Sequence, residues 1–273
     1  MIGNKPVQAV TIDDVLSILT PIWTMKPETA SRLRGRIEKV LDYARAQGWR
    51  AGDNPAARKG NLDHLLAPRS KVASVRHHAA LPYAELAAVM ARLLAADAVS
   101  AHCLAFTILT AARSGEARGA RWDEIDMQAR TWTIPPARMK AGRPHRVPLS
   151  DAALAVLLAV KPLQRTPDGL VFPGGRIGRP LSDVGLSKAL TAAAGEGFTV
   201  HGCRSGFRDW CAEMTAYPRE IAEAALAHTN SDRTEAAYQR SDLIERRTRM
   251  MQDWADYLAR PVAGGVVPIR GQK

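Results

Sequence analysis

Residues 101–122 read AHCLAFTILTAARSGEARGARW. From Ala101 to Ala112, apolar side chains occupy almost every face of a helical wheel, which predicts a helix buried on all sides. The run ends without a spacer at Arg113, and Ser114-Gly115-Glu116 leads into a second short helix. A buried helix is a rigid platform, so an arginine at its end is well placed to hold a ligand. A surface arginine that caps the helix is the other reading these residues allow.

Working downstream, Trp132-Thr133-Ile134 and Arg146-Val147-Pro148-Leu149 are short β-prone runs that predict a hairpin. No acid falls between Asp126 and Asp151, whereas Arg130, Arg138, Lys140, Arg143 and Arg146 all do. Such a turn is either a solvated basic loop or a surface for a polyanion. Ser150 can cap the next helix, and helical patterning continues to about Ala259. Pro261 to Lys273 has no helical pattern.

Working upstream, Leu81-Pro82 opens a helix with the stripe Leu86, Val89, Met90, Leu93 and Leu94. Residues 50–80, with Asp53-Asn54-Pro55, Gly60, Pro68 and Arg69-Ser70-Lys71, lose periodicity and read as a linker. Before them, Thr11 and Asp14 predict a capping box opening a helix through Val15, Leu16, Ile18 and Leu19. A longer helix over Glu28–Gln47 buries Ala30, Leu33, Ile37, Val40, Leu41 and Ala44 and stops at Gly48. Its other face carries Arg32, Arg36, Lys39 and Arg45. The expected fold is mainly α with a small antiparallel β-sheet. It comprises a helical region and linker over 1–75, a larger domain over 76–260 and a tail over 261–273.

The 273 residues hold 38 Lys+Arg against 27 Asp+Glu, a net charge of +11. With 46% hydrophobic residues, the chain can build a core, so the charge does not mark a disordered tail. A polyanion is the partner this balance suggests. No apolar run approaches the roughly 18 residues of a membrane span, and MIGNKPVQAV lacks a secretory pattern. Cys103, Cys203 and Cys211 are too scattered for a disulfide framework or a paired zinc site. A cytoplasmic, membrane-free protein with nucleic acid as its partner is expected.

Attack of a side chain on a phosphodiester needs a nucleophile, a proton acceptor, a proton donor and positive charge around phosphorus. Arginine suits the last task because its planar fork grips two oxygens and keeps its charge. Besides Arg113, the segment Thr199-Val200-His201-Gly202-Cys203-Arg204-Ser205 puts His201 and Arg204 three apart, on one side of a helix start. An ordinary helix N-terminus is the plain alternative. A zinc site at His201 and Cys203 lacks a second ligand pair. Farther on, His228 closes Leu226-Ala227-His228, and Tyr238 stands in Ala236-Ala237-Tyr238-Gln239-Arg240. A tyrosine there can equally be core filler.

The order of these segments carries more than any one of them. Arg113, a basic hairpin bearing Lys140, His201-x-x-Arg204, His228 and Tyr238 together resemble the active-site series of the tyrosine recombinases. The wording is similar to the phage-type integrases of genomic islands and satellite prophages. The first box reads ARSGEARGARW over 112–122 and the hairpin MKAGRPH over 139–145. The later boxes read TVHGCRS over 199–205, YPREIAEAALAH over 217–228 and EAAYQRSD over 235–242. The resemblance covers about residues 80–259. Within it, Cys203 and Gly206 replace the bulkier or hydroxylated residues commoner in that branch.

The resemblance implies a site-specific recombinase whose nucleophile is Tyr238, forming a 3′-phosphotyrosine and releasing a 5′-hydroxyl. It implies that Arg113 and Arg204 clamp the non-bridging oxygens, Lys140 protonates the leaving oxygen, His201 handles the tyrosine proton and His228 hydrogen-bonds the phosphoryl group. Glu116 would support Arg113 from behind. No cofactor, metal or ATP is implied, because the phosphotyrosine conserves the bond energy. The implied partners are double-stranded DNA attachment sites, a tetramer on DNA and accessory DNA-bending proteins. Residues 1–75 resemble only the later helices of a core-DNA-binding domain, around Val40-Leu41-Asp42-Tyr43-Ala44-Arg45, so a partial unit and weak DNA binding are expected. A shortened, inactive remnant or a non-catalytic DNA-binding protein is the alternative to an active integrase.

Overall fold

In the computed structural model the described residues are 2–68, 72, 80–228 and 242–260. Tyr238 and the tail over 261–273 lie outside them. The chain divides into two units, residues 1–77 and 78–273.

In the first unit, helix α1 (Ile12–Trp23) starts at the anticipated capping box. Thr11 accepts from the Asp14 amide, and the Asp14 carboxylate accepts from the Thr11 amide. Helix α2 (Pro27–Ala46) buries Ala30, Ile37, Leu41 and Ala44, and Gly48 follows at φ 73°, a left-handed conformation that glycine adopts without steric cost. Val40 departs from the expected face. It sits at the rim of the buried stripe and is exposed, as is neighbouring Tyr43, whose ring stands edge-on to Trp49 at 5.9 Å.

Residues 50–68 are no loose linker. Ala56, Leu62 and Leu66 join the core of the first unit. Buried Asn54 donates to the Glu38 carbonyl at 2.8 Å and to Asp42 at 2.7 Å, and accepts from the Ala56 amide at 2.9 Å. An irregular segment can be buried when its polar groups are satisfied this way, and periodicity does not reveal it.

The second unit is built around the quoted stretch. Helix α3 (Tyr83–Leu94) begins with Pro82 as its N-cap, one step earlier than a first-turn proline. Leu94, at the end of the expected stripe, is exposed. Helix α4 (Val99–Thr110) is buried at Ala101 and at every position from Cys103 to Thr110. Its hydroxyls are satisfied within the helix: Thr107 donates to the Cys103 carbonyl and Thr110 to that of Phe106. Helix α5 (Ser114–Arg118) follows.

Three strands, β1 (Ile125–Asp126), β2 (Thr131–Ile134) and β3 (His145–Pro148), form an antiparallel sheet in sequence order. Strand β1 is additional to the expected hairpin; two residues are too few to leave an alternating pattern. In the β2–β3 register Trp132 faces Val147 and Ile134 faces His145, which leaves Lys140 in the connecting loop. Helix α6 (Asp151–Val160) is capped by Ser150 through the Ala153 amide.

The helical run is then interrupted. Residues 161–182 are largely irregular and are pinned to the 120–122 segment by the Trp122 amide on the Gly169 carbonyl and the Val171 amide on that of Ala120. Helices α7 (Asp183–Ala194), α8 (Val200–Met214), α9 (Arg219–Ala225) and α10 (Ile244–Leu258) complete the unit. Helix α4 packs against α3, α6, α7, α8 and α10, and the Trp254 indole of α10 donates to the Ile108 carbonyl at 2.9 Å.

Gly206 has a structural reason. A methyl group there would lie 2.8 Å from the Leu81 carbonyl oxygen and 3.0 Å from a Leu86 methyl. Glycine lets α8 pass against the start of α3.

Candidate active site

Helix α4 ends at Ala111, a non-glycine residue at φ 49°. The left-handed turn brings Arg113 to the N-cap of α5. Glu116, 6% exposed, accepts from the Arg113 amide at 2.9 Å and from its Nη1 at 2.7 Å. One buried carboxylate therefore fixes both the backbone and the guanidinium of Arg113.

Arg204 projects from the first turns of α8 and is itself buried. Its guanidinium donates to the Ala111 carbonyl at the end of α4 and to the Leu226 carbonyl at the end of α9. Helix C-termini carry partial negative charge, so these acceptors suit a cation removed from water. Burial pushes its pKa down to about 10, with repulsion from Arg113 adding to the shift and Glu116 and Glu223 opposing it. The group remains charged at neutral pH.

The turn after α9 is held from three directions. His145, at the start of β3, hydrogen-bonds the backbone of Ala225. Arg204 takes the Leu226 carbonyl, and Arg113 Nη2 reaches the Ala227 carbonyl at 3.4 Å. Ala227 is also left-handed, at φ 46°. This turn delivers His228, whose Nδ1 lies 2.6 Å from Glu223 Oε2. Burial works to raise the Glu223 carboxyl, but hydrogen bonds from His228 and Arg208 outweigh it and hold its pKa below the ordinary value. An ionised carboxylate only accepts, so Nδ1 carries the proton and Nε2 is left for a ligand.

Arg113, Lys140, Ala141, Glu223, Ala227 and His228 line one cleft of about 400 Å³. Of the six residues named from sequence, Arg113, Lys140 and His228 thus line the same cleft, and buried Arg204 holds the Ala111 and Leu226 carbonyls, two residues before Arg113 and His228 respectively. His201 is exposed in the first turn of α8 and is not part of this lining. Tyr238 lies outside the described residues. A larger cavity of about 550 Å³, lined by Trp210, Met214, Tyr217, Asp253 and Tyr257 among others, contains none of the six.

Sequence reasoning passed over several polar groups in and around the catalytic unit's core. His145 and Glu223 both stand inside quoted segments, but neither has a role in the series. Arg247 on α10, 1% exposed, donates to the Asp242 carbonyl at 3.0 Å and to the Arg146 carbonyl. Arg146 Nε in turn reaches Asp242 Oδ2 at 2.7 Å. An arginine in an amphipathic helix looks like a solvated residue, and only its helical phase with buried Met250, Met251 and Trp254 hints otherwise. The three cysteines are free and buried, and burial pushes each thiol up to about 12, so they stay protonated. Among the described residues no group of three or more His, Cys, Asp and Glu side chains is placed to hold a metal.

Residues 81–243, more than half of the chain, match the phage integrase family, and residues 1–61 match the phage integrase central domain. The chain belongs to the phage integrase family. It is 37% identical to prophage integrase IntA of Escherichia coli (strain K12) over 245 residues, covering 88% of this chain and 57% of that protein. It is 32% identical to prophage integrase IntZ of the same strain over 274 residues, covering 98% and 65%. The chain therefore spans roughly three fifths of the length of these relatives. Its fold is shared with lambda integrase solved as a tetramer bound to a Holliday junction, with a TM-score of 0.59 and 16% identity over 83% of this chain and 66% of that one. The mostly helical architecture with a small antiparallel sheet is the fold that the two chains share. No described helix is long and apolar enough to cross a membrane.

Proposed function

We propose that this integrase cuts and rejoins duplex DNA at specific sites through a covalent phosphotyrosine at Tyr238. The observation that carries the reading is the convergence of Arg113, Lys140 and His228 on one cleft, with Arg204 buried beside it. Two positive guanidinium groups, an ammonium and an imidazole suit a phosphodiester whose negative charge grows as a fifth ligand approaches phosphorus.

In this reading the Tyr238 oxygen attacks phosphorus, the new P–O bond forms, and the bond to the 5′-oxygen breaks. A free phenol has a pKa near ~10, so its proton must leave as it attacks. His201 serves as the acceptor, and Lys140 delivers a proton to the departing oxygen. Arg113 and Arg204 hold the non-bridging oxygens, and His228 donates to the phosphoryl group. Attack by the freed 5′-hydroxyl on the phosphotyrosine reverses the step, which needs no ATP and no metal to supply the bond energy. Residues 1–75 contribute core DNA contacts ahead of the catalytic domain over 76–260. The lambda protein is solved as a tetramer on a Holliday junction, and this chain would work on its attachment sites as four copies, in the cytoplasm, with DNA-bending proteins assisting.

The test is covalent capture. Nicked duplexes carrying candidate attachment sites are incubated with the protein and run under denaturing conditions. An adduct is expected with the wild type and none with Tyr238→Phe, while duplex affinity stays nearly unchanged. An adduct that persists in the phenylalanine variant would assign the nucleophile to another residue.

A further inference from the structure

Arg138 precedes Lys140 by two residues, at the foot of the β2–β3 loop, and it does not line the cleft. Its Nη1 donates to the Glu116 carbonyl at 3.0 Å, and its Nη2 pairs with the Glu124 carboxylate. Glu124 is kept in place by the Trp132 indole at 3.0 Å and the Arg121 amide at 3.2 Å. The guanidinium lies over Gly119, close enough that a side chain there would push it aside. A methyl group at Gly119 would lie 2.7 Å from Arg138 Nη1.

Glu116 is the shared member. Its carbonyl accepts from Arg138, and its carboxylate accepts from the amide and guanidinium of Arg113. One residue thus couples the foot of the Lys140 loop to Arg113, which lines the same cleft as Lys140. Two residues of chain, extended, span roughly 7 Å, so a shift of the foot carries the lysine with it.

We propose that Arg138 is a positioning residue that sets where Lys140 stands relative to Arg113, and that it acts on protonation of the leaving oxygen. The proposal rests on Lys140 being the proton donor in the reading above. It is separate from DNA binding, because Arg138 Nη1 and Nη2 are engaged by Glu116 and Glu124 and the side chain does not line the cleft.

The experiment uses the full chain and two nicked duplexes, one with the natural 5′-bridging oxygen and one with sulfur in its place. Sulfur departs without a proton, so a defect in general-acid catalysis disappears on that substrate. Arg138→Lys, Arg138→Gln and Gly119→Ala are compared with Lys140→Ala and wild type. Gly119→Ala displaces the guanidinium while leaving every charge present. All three are expected to slow cleavage of the oxygen substrate by roughly tenfold or more, part of the roughly 10²–10⁴-fold that a positioned acid or base contributes. On the sulfur substrate they should approach the wild-type rate, and duplex affinity should be unchanged. Equal slowing on both substrates, with Lys140→Ala rescued by sulfur, would overturn the positioning role and leave the acid assignment intact. A Lys140→Ala defect that sulfur does not rescue would overturn the acid assignment itself. Loss of folding in all three variants, read by circular dichroism, would make Arg138 a fold residue and also end the proposal.

Discussion

Lowering the pH should weaken the catalytic unit through a single ring, that of His145. Burial pushes its pKa from 6.5 down to about 4, and the nearby charges of Arg247 and Arg204 act in the same direction. Glu116 and the bond to the Ala225 backbone oppose the shift. The sign depends on which state takes up the proton. Above pH 6.5 the ring is neutral whether folded or unfolded, and its contribution to stability is fully present. As the pH falls from 6.5 toward 4, the unfolded chain binds a proton that the folded chain refuses, and stability is lost. The loss from this group comes to about 2 kcal/mol at pH 5 and about 3 kcal/mol below pH 4. Asp242 and Glu223, whose carboxyls lie below their ordinary values, lose stability mainly at lower pH still. Two measurements check this. Urea unfolding at pH 7.5 and pH 5 should show a steeper loss for wild type than for His145→Gln, by about 2 kcal/mol. The His145 ring resonances should stay unmoved by NMR above pH 5. A folded-state titration near 6.5, or equal losses in the two proteins, would refute the burial argument.

Other outcomes rest on the same geometry. Arg113→Ala and Arg204→Ala should each lower covalent cleavage by roughly 10²-fold or more in single-turnover assays. Arg204→Ala should in addition lower the melting temperature, since it strands the Ala111 and Leu226 carbonyls, at about 1–3 kcal/mol for each buried acceptor. Equal melting temperatures for the two variants would contradict that difference. Gly206→Ala should cost about 1–3 kcal/mol in a denaturant melt, because the added methyl meets the Leu81 carbonyl; an unchanged midpoint would show that α8 can shift without strain. Addition of EDTA should leave the cleavage rate untouched, and dependence on added magnesium would contradict the proposed chemistry. Binding to non-specific duplex should fall steeply as salt rises from about 50 to 200 mM, as counterion release requires; a flat salt response would place DNA affinity outside phosphate contacts.

Where the fold was legible in sequence, one strong regularity made it so. The all-round apolar run of α4, the capping box at Thr11 and Asp14, and the β-prone pair around Lys140 each leave a local pattern. Packing without periodicity left none, which is why residues 50–68 read as a linker although Asn54 and Leu62 are buried in a core. Val40 and Leu94 failed in the opposite way, being apolar yet set at the rim of their stripes. At the candidate site, Arg113, Glu116, Lys140 and His228 were readable because they recur in a recognisable order. His145 and Arg247 were not, because each acts on main-chain carbonyls, and neither was the bond from Arg138 to the Glu116 carbonyl. Every residue offers that acceptor, so no partner type marks the contact in the sequence.

Inherited variation would register the turn at Ala225, Leu226 and Ala227 only indirectly. Its three backbone groups are gripped by side chains that come from β3, α8 and the residue before α5. No side-chain replacement within the turn removes an acceptor, so an alanine scan across it would be blind to these contacts. Damaging variants should instead gather at the three remote donors, scattered over more than ninety residues of sequence. A map of harmful positions would then outline the grip while leaving unmarked the segment being gripped. Replacing an amide by an ester in the turn, which weakens the carbonyl as an acceptor, would make that hidden segment visible.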